Sequence, residues 1–156
     1  MSNILHLRPR GWFSRLTDVL AAERVIATLE LSFFKDQGRA EIDGVSYELE
    51  HPQLFGRDYT MRRAGKTVLA TRASGLFRPD YPFEHQGRRY VLARQSFWSH
   101  RLVLRDERNA EIGSIAPDGL LTRRATAELP EELPLPLRVF AIWLALAAWR
   151  QRRRRS

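Results

Sequence analysis

The side chains that most often perform catalysis are few in this chain and widely spaced. Its 156 residues include four histidines and no cysteine, which excludes a thiolate metal site, a disulfide scaffold and a cysteine nucleophile. No histidine lies within three to five residues of another, so the spacing of a zinc site is absent. The G-x-S-x-G, P-loop and G-x-G-x-x-G motifs are absent as well. We therefore expect no catalytic residue, no metal site and no cofactor.

Arginine is the residue type whose pattern indicates chemistry, and that chemistry is the binding of anions. Pairs of adjacent arginines recur in or beside the predicted strands, where one member of each pair points outward because successive side chains alternate. Two further cations occupy matching positions of an internal repeat. One interpretation is a solvated barrel exterior. The other is an anion-binding face made of Lys35, Arg78, Arg62, Arg63, Arg88, Arg89, Arg123 and Arg124.

A second basic cluster lies in the last residues of the sequence. Five arginines occur within six residues: Arg150, Arg152, Arg153, Arg154 and Arg155. They supply five of the eight net positive charges, which leaves +3 for residues 1–149. A DNA-binding domain usually spreads its positive charge over a face or a helix, so we expect no sequence-specific nucleic-acid partner. Next to an apolar segment, the cluster suits an anionic membrane surface.

The elements that position these side chains follow a repeat of about 43 residues. Pairs matching at this offset include Phe34 with Phe77, Glu41 with Glu84, Gly44 with Gly87 and Tyr47 with Tyr90. A third, truncated copy begins at Leu120. Segments of five to seven residues between turn dipeptides such as Asp43-Gly44 predict about ten to twelve antiparallel strands. Such strands are typical of a closed barrel or a sandwich rather than a parallel sheet.

Two segments depart from this pattern. From Trp12 to Glu23, large apolar residues fall at helical spacing and predict a short amphipathic helix. After the prolines at 134 and 136, a second helix is predicted from about Leu137.

The chain length predicts one domain. Within it, the sequence patterns predict an N-terminal segment (1–23), a repeated β-meander barrel (24–130), a hydrophobic helix (131–149) and a basic tail (150–156). Phe97 and Trp98 are expected in the barrel core or at its rim.

The apolar run from Val139 to Trp149 has more than one interpretation. Its 11 residues span roughly 16 Å as a helix, whereas a membrane span needs about 20 residues for about 30 Å of hydrocarbon. A helix that is apolar on all sides must be buried on all sides, and a closed sheet of this size can hold one helix. We therefore predict a core helix, with a membrane anchor as the alternative.

Together, the β-meander copies, the segment LPEELP at residues 129–134 and the final hydrophobic helix resemble the tubby-like C-terminal superfamily. That group includes the phospholipid scramblases and the plant LURP-one-related proteins. The resemblance covers about residues 24–149. It implies a twelve-stranded closed barrel with the C-terminal helix through its centre, and binding of phosphoinositide head groups. No acidic cluster has the spacing of calcium ligands, so scrambling activity is not expected.

These patterns favour a non-enzymatic module that binds a lipid or a phosphorylated ligand at an anionic membrane. The first ten residues lack the apolar run of a secretory signal, so we expect a cytoplasmic protein that is peripheral at the inner face of the membrane. The alternative is a membrane-tethered module with a protein partner, in which the run from Val139 to Trp149 belongs to the anchor.

Overall fold

The computed structural model describes residues 2–11, 14–31, 37–50, 57–75, 79–119 and 122–155. They form twelve antiparallel strands that close into a barrel. Each strand is hydrogen-bonded to the strands before and after it in the sequence, and the first strand pairs with the last. One helix, α1 (Leu135–Arg155), follows. The strands are β1 (Ser2–Pro9), β2 (Leu16–Ala21), β3 (Arg24–Leu31), β4 (Gln37–Ile42), β5 (Val45–Glu50), β6 (Asp58–Arg63), β7 (Lys66–Arg72), β8 (Tyr81–His85), β9 (Arg88–Arg94), β10 (Leu102–Arg105), β11 (Glu111–Pro117) and β12 (Ala125–Pro130).

Tight turns join alternate strand pairs at one end of this barrel. At Asp43-Gly44, Ala64-Gly65 and Gln86-Gly87, both residues have positive φ. This is the geometry of the type I′ turn that matches the twist of a hairpin, and it confirms the turns predicted there. The turns recur every 21 or 22 residues, so each 43-residue repeat consists of two hairpins.

The helix predicted from Trp12 to Glu23 is wrong, because most of this segment forms β2 and the turn after it. The register between β2 and β3 shifts between Val19 and Leu20, and both side chains are buried. The extra residue of this bulge, Ile26, lies on β3. The two adjacent buried side chains interrupt the alternation of β2, which made the apolar spacing resemble that of a helix. The turn that follows, Ala22-Glu23, has positive φ at both residues without a glycine.

Helix α1 fills the barrel. The side chains of Leu137 and of residues 139–145 are buried. The ring of Trp143 lies 5.6 Å from that of Tyr59 on β6, and the ring of Phe140 lies 5.4 Å from that of Phe83 on β8. The apolar run is thus enclosed by strands, as the core interpretation predicts. Within the described ranges, no helix is both long and apolar enough to span a membrane.

Helix α1 starts at Leu135, two residues before the predicted start. Pro136 is tolerated there because amide groups in the first turn of a helix have no partner within the helix.

The two ends of the barrel differ. We call the end that holds the turns at 22–23, 43–44, 64–65 and 86–87 the turn end; α1 begins there, shortly after Pro130, which pairs with Ser2. We call the other end the loop end, because it holds the connections between β1 and β2 and between each later odd strand and the next. Helix α1 finishes at the loop end, where the indole Nε1 of Trp149 donates a hydrogen bond to the backbone oxygen of His100 at 2.7 Å.

Candidate functional site

The arginines predicted as one anion-binding face do not lie together. Four of them lie at or near the turn end, on β6 and β9, namely Arg62, Arg63, Arg88 and Arg89. Arg123 and Arg124 lie just before β12, at the loop end. Lys35 and Arg78 lie outside the described residues. The described arginine pairs therefore occupy opposite ends of the barrel, and anion binding by these residues stays a prediction.

Several of these arginines already have partners within the protein. Arg62 lies 3.5 Å from the carboxylate of Glu50, and Arg89 lies 3.6 Å from that of Glu84. Both ion pairs are exposed, so each contributes little to stability. Arg123 donates hydrogen bonds to the backbone oxygens of two residues in the connection between β1 and β2. Its position indicates a structural role, holding two neighbouring connections together.

A cleft of about 410 Å³ opens at the turn end, between the β8–β9 turn, the loop after β10 and the segment before α1. Its charges are mixed, since Arg88, Arg89 and Arg108 line it together with Asp106 and Glu107. The Asp106 carboxylate accepts the backbone N–H groups of Arg108 and Ala110, both at 3.0 Å, and so closes the loop. With two carboxylates among three guanidinium groups, the cleft has only a weak preference for anions.

Arg138 supports the chain segment behind this cleft. Its Nε donates a hydrogen bond to the backbone oxygen of Leu133, a cleft residue, at 3.0 Å. Its Nη1 is buried with no hydrogen-bond partner among the described residues. Burial lowers the pKa of this guanidinium, while the charge of Glu131 acts in the opposite direction. Arg138 thus fixes the path of the chain from β12 into α1.

The loop end carries an ion pair that joins its first two strands. Three hydrogen bonds of 3.0–3.2 Å connect the guanidinium of Arg10 to the carboxylate of Asp18, which also accepts the hydroxyl of Thr28. The hydrogen bonds from Arg10 lower the pKa of Asp18. Asp18 is therefore ionised at neutral pH and helps to hold the first connection in place.

The predicted arginine cluster lies where α1 emerges from the barrel. Trp149 is buried and Arg150 is partly exposed, so the core ends between these two residues. The helix continues to Arg155, which at about 1.5 Å per residue is about 8 Å beyond Arg150. Cations at the carboxyl end of a helix are favoured by its dipole. Because the apolar run fills the core, it places all five arginines at one end of the molecule.

Two aromatic side chains at the same end are exposed. Phe97 and Trp98 are 52% and 82% exposed. The prediction that they lie in the barrel core is therefore wrong, and of the two predicted places only the rim is consistent with this exposure. They form the centre of a turn in which the backbone N–H of Ser99 bonds to the oxygen of Ser96. The sequence did not predict a function for Phe97 and Trp98, because the alternation of side chains in strands does not show in which direction a turn points its side chains.

No metal site is evident in the described part of the chain, where no three histidine, aspartate or glutamate side chains come together to hold an ion.

Comparisons with protein-family models, with curated proteins and with solved structures give no match for this chain. The resemblance to the tubby-like superfamily therefore stays a prediction.

Proposed function

We propose that this protein is a non-enzymatic barrel module that binds anionic lipid or a phosphorylated head group, and that it does so at a membrane surface through the loop end. The observation that carries the proposal is the position of the arginine cluster. A core helix that leaves the barrel at one end concentrates five of the eight net charges there. In this proposal the protein acts in the cytoplasm, as a peripheral protein at the inner face of the membrane.

The electrostatic attraction between the five arginines and anionic lipid is strong enough for reversible binding to a membrane. Each cation near an anionic bilayer contributes about 1 kcal/mol, and the attraction decays within a Debye length. Five cations on one helix end thus give an attraction that depends strongly on salt. The resemblance to tubby-like proteins supports the same ligand class.

The test compares two variants of equal net charge on vesicles of phosphatidylcholine with and without phosphatidylserine. In the tail variant, the five arginines from Arg150 to Arg155 become Gln. In the turn-end variant, Gln replaces five exposed cations at the opposite end, namely Arg24, Arg63, Lys66, Arg88 and Arg108. Each variant keeps a formal net charge of +3.

We expect the tail variant to bind anionic vesicles at least about tenfold more weakly than the unmodified protein, since several cations of about 1 kcal/mol each are lost. The turn-end variant should retain most of the binding, and vesicles without phosphatidylserine should bind none of the three proteins. Equal binding by the tail variant and the unmodified protein would overturn the proposal. Equal losses in both variants would show that net charge alone governs binding and that the loop end has no special part.

A further inference from the structure

Phe97 and Trp98 are the most exposed large apolar side chains among the described residues. The other exposed ones, Ile4, Val25 and Val68, lie singly on three different strands, and single exposed apolar residues are ordinary. The two aromatic residues instead are adjacent, with ring centroids 4.9 Å apart in an edge-to-face arrangement. They form one apolar projection on an otherwise polar loop.

The backbone holds this projection in place. The N–H of Gln95 bonds to the oxygen of Arg101 at 2.9 Å, which closes the connection between β9 and β10. The hydroxyl of Ser99 accepts the N–H of Arg101 at 3.0 Å. With its loop already ordered, the aromatic pair loses little conformational entropy when it binds another surface.

The same loop is attached to the basic end of α1. The carbonyl that accepts the indole N–H of Trp149 belongs to His100, two residues after Trp98. Trp149 directly precedes Arg150, the first arginine of the cluster. The loop that carries the exposed aromatic pair is therefore bonded to α1 at the residue directly before the arginine cluster, at the loop end.

Charge and polarity together identify the partner of this surface. An apolar projection beside a row of arginines matches an anionic bilayer, whose charged head groups lie directly above hydrocarbon. Trp is well suited to this boundary because its ring is apolar and its N–H is polar.

We propose that Phe97 and Trp98 insert into the interfacial layer of an anionic phospholipid bilayer while the neighbouring arginines contact its head groups. This inference rests on the proposed function and adds a site of insertion, an apolar contribution and an orientation to it. The barrel then stands with the loop end towards the lipid and the turn end towards solvent.

The sequence contains a pattern in phase with this pair. Adjacent large apolar residues recur every 21 to 23 residues along the chain, at Trp12-Phe13, Phe33-Phe34, Leu54-Phe55, Leu76-Phe77, Phe97-Trp98 and Leu120-Leu121. The other five pairs lie outside the described residues, and the proposal depends on Phe97 and Trp98 alone.

The test replaces Phe97 and Trp98 with Ser in the full chain and measures binding to phosphatidylserine-containing vesicles at low and at physiological salt. The matched control replaces Val25 and Val68 with Ser, which removes two exposed apolar side chains far from the loop end. Because all four side chains are exposed, both variants should keep the melting temperature of the unmodified protein.

At physiological salt, where the charges are screened, we expect the aromatic variant to bind at least about tenfold more weakly than the unmodified protein, since the apolar contribution is lost. At low salt the deficit should be smaller, and the valine control should bind normally at both salt concentrations. If the aromatic variant binds normally while the tail variant does not, insertion is wrong and the proposed function stands. If the unmodified protein fails to bind anionic vesicles, both are wrong.

Discussion

Trp143 connects the core helix to the wall of the barrel. It is 2% exposed, and its ring lies 5.6 Å from the ring of Tyr59 and 5.9 Å from that of Phe140. Its burial was predictable, because a helix without a polar face needs apolar surroundings on every side. Its aromatic neighbours were not, since they depend on the rotation of the helix inside the barrel.

Substitution of Trp143 with Ala should therefore lower the free energy of unfolding by about 3–5 kcal/mol, the usual cost for a buried aromatic side chain. The matched control is Trp98→Ala, which removes the same side chain from a position that is 82% exposed and should change stability by less than about 0.5 kcal/mol. Urea unfolding followed by circular dichroism measures both. Similar small changes in the two variants would contradict the placement of α1 in the core.

The hairpins show how far local sequence predicts the elements. The turns at Asp43-Gly44 and Gln86-Gly87 were predicted from these dipeptides, because glycine adopts positive φ readily. The first hairpin was missed because its turn, Ala22-Glu23, has no glycine and because its first strand buries two adjacent side chains, Val19 and Leu20. β2 pairs with β1 on one side and with β3 on the other, and such tertiary pairing overrides the helical spacing of a short segment.

Gly113 is needed at the contact between β11 and β12. A Cβ atom on this residue would lie 2.6 Å from the backbone oxygen of Glu128 and 2.9 Å from Cδ2 of the buried Leu129. We expect Gly113→Ala to lower the free energy of unfolding by about 1–3 kcal/mol, because the strands must separate to admit the methyl group.

The control for this substitution is Gly11→Ala. A Cβ at Gly11 would lie 3.9 Å from the nearest atom, Cβ of Ser14, so this variant should melt within a few degrees of the unmodified protein. Differential scanning calorimetry compares the two. If both variants melt like the unmodified protein, the close approach of β11 to β12 is incorrect.

At the scale of the whole molecule, the fold determines where the charge lies. The repeat and the length of the apolar run predicted a closed barrel around a helix, and the structure confirms that architecture. Only one of the two parts of the proposed membrane-binding site could be predicted from the sequence. The arginine cluster was evident in the sequence, whereas its position beside Phe97 and Trp98 depends on the hydrogen bond from Trp149 to His100.

A protein with most of its net charge at one end is oriented by a charged surface. Because the chain has no cysteine, one introduced thiol can carry an environment-sensitive fluorophore at a single site. Ser96 and Ser46 are both exposed and accept a conservative change to Cys. Ser96 borders the aromatic pair at the loop end, and Ser46 follows the turn at 43–44 at the turn end.

The emission of these two labelled proteins on phosphatidylserine-containing vesicles shows which end of the barrel contacts the lipid. A fluorophore at Ser96→Cys should become brighter and shift to shorter wavelength as it enters the interfacial layer, while one at Ser46→Cys should keep its emission in water. An equal or larger response at position 46 would contradict binding through the loop end.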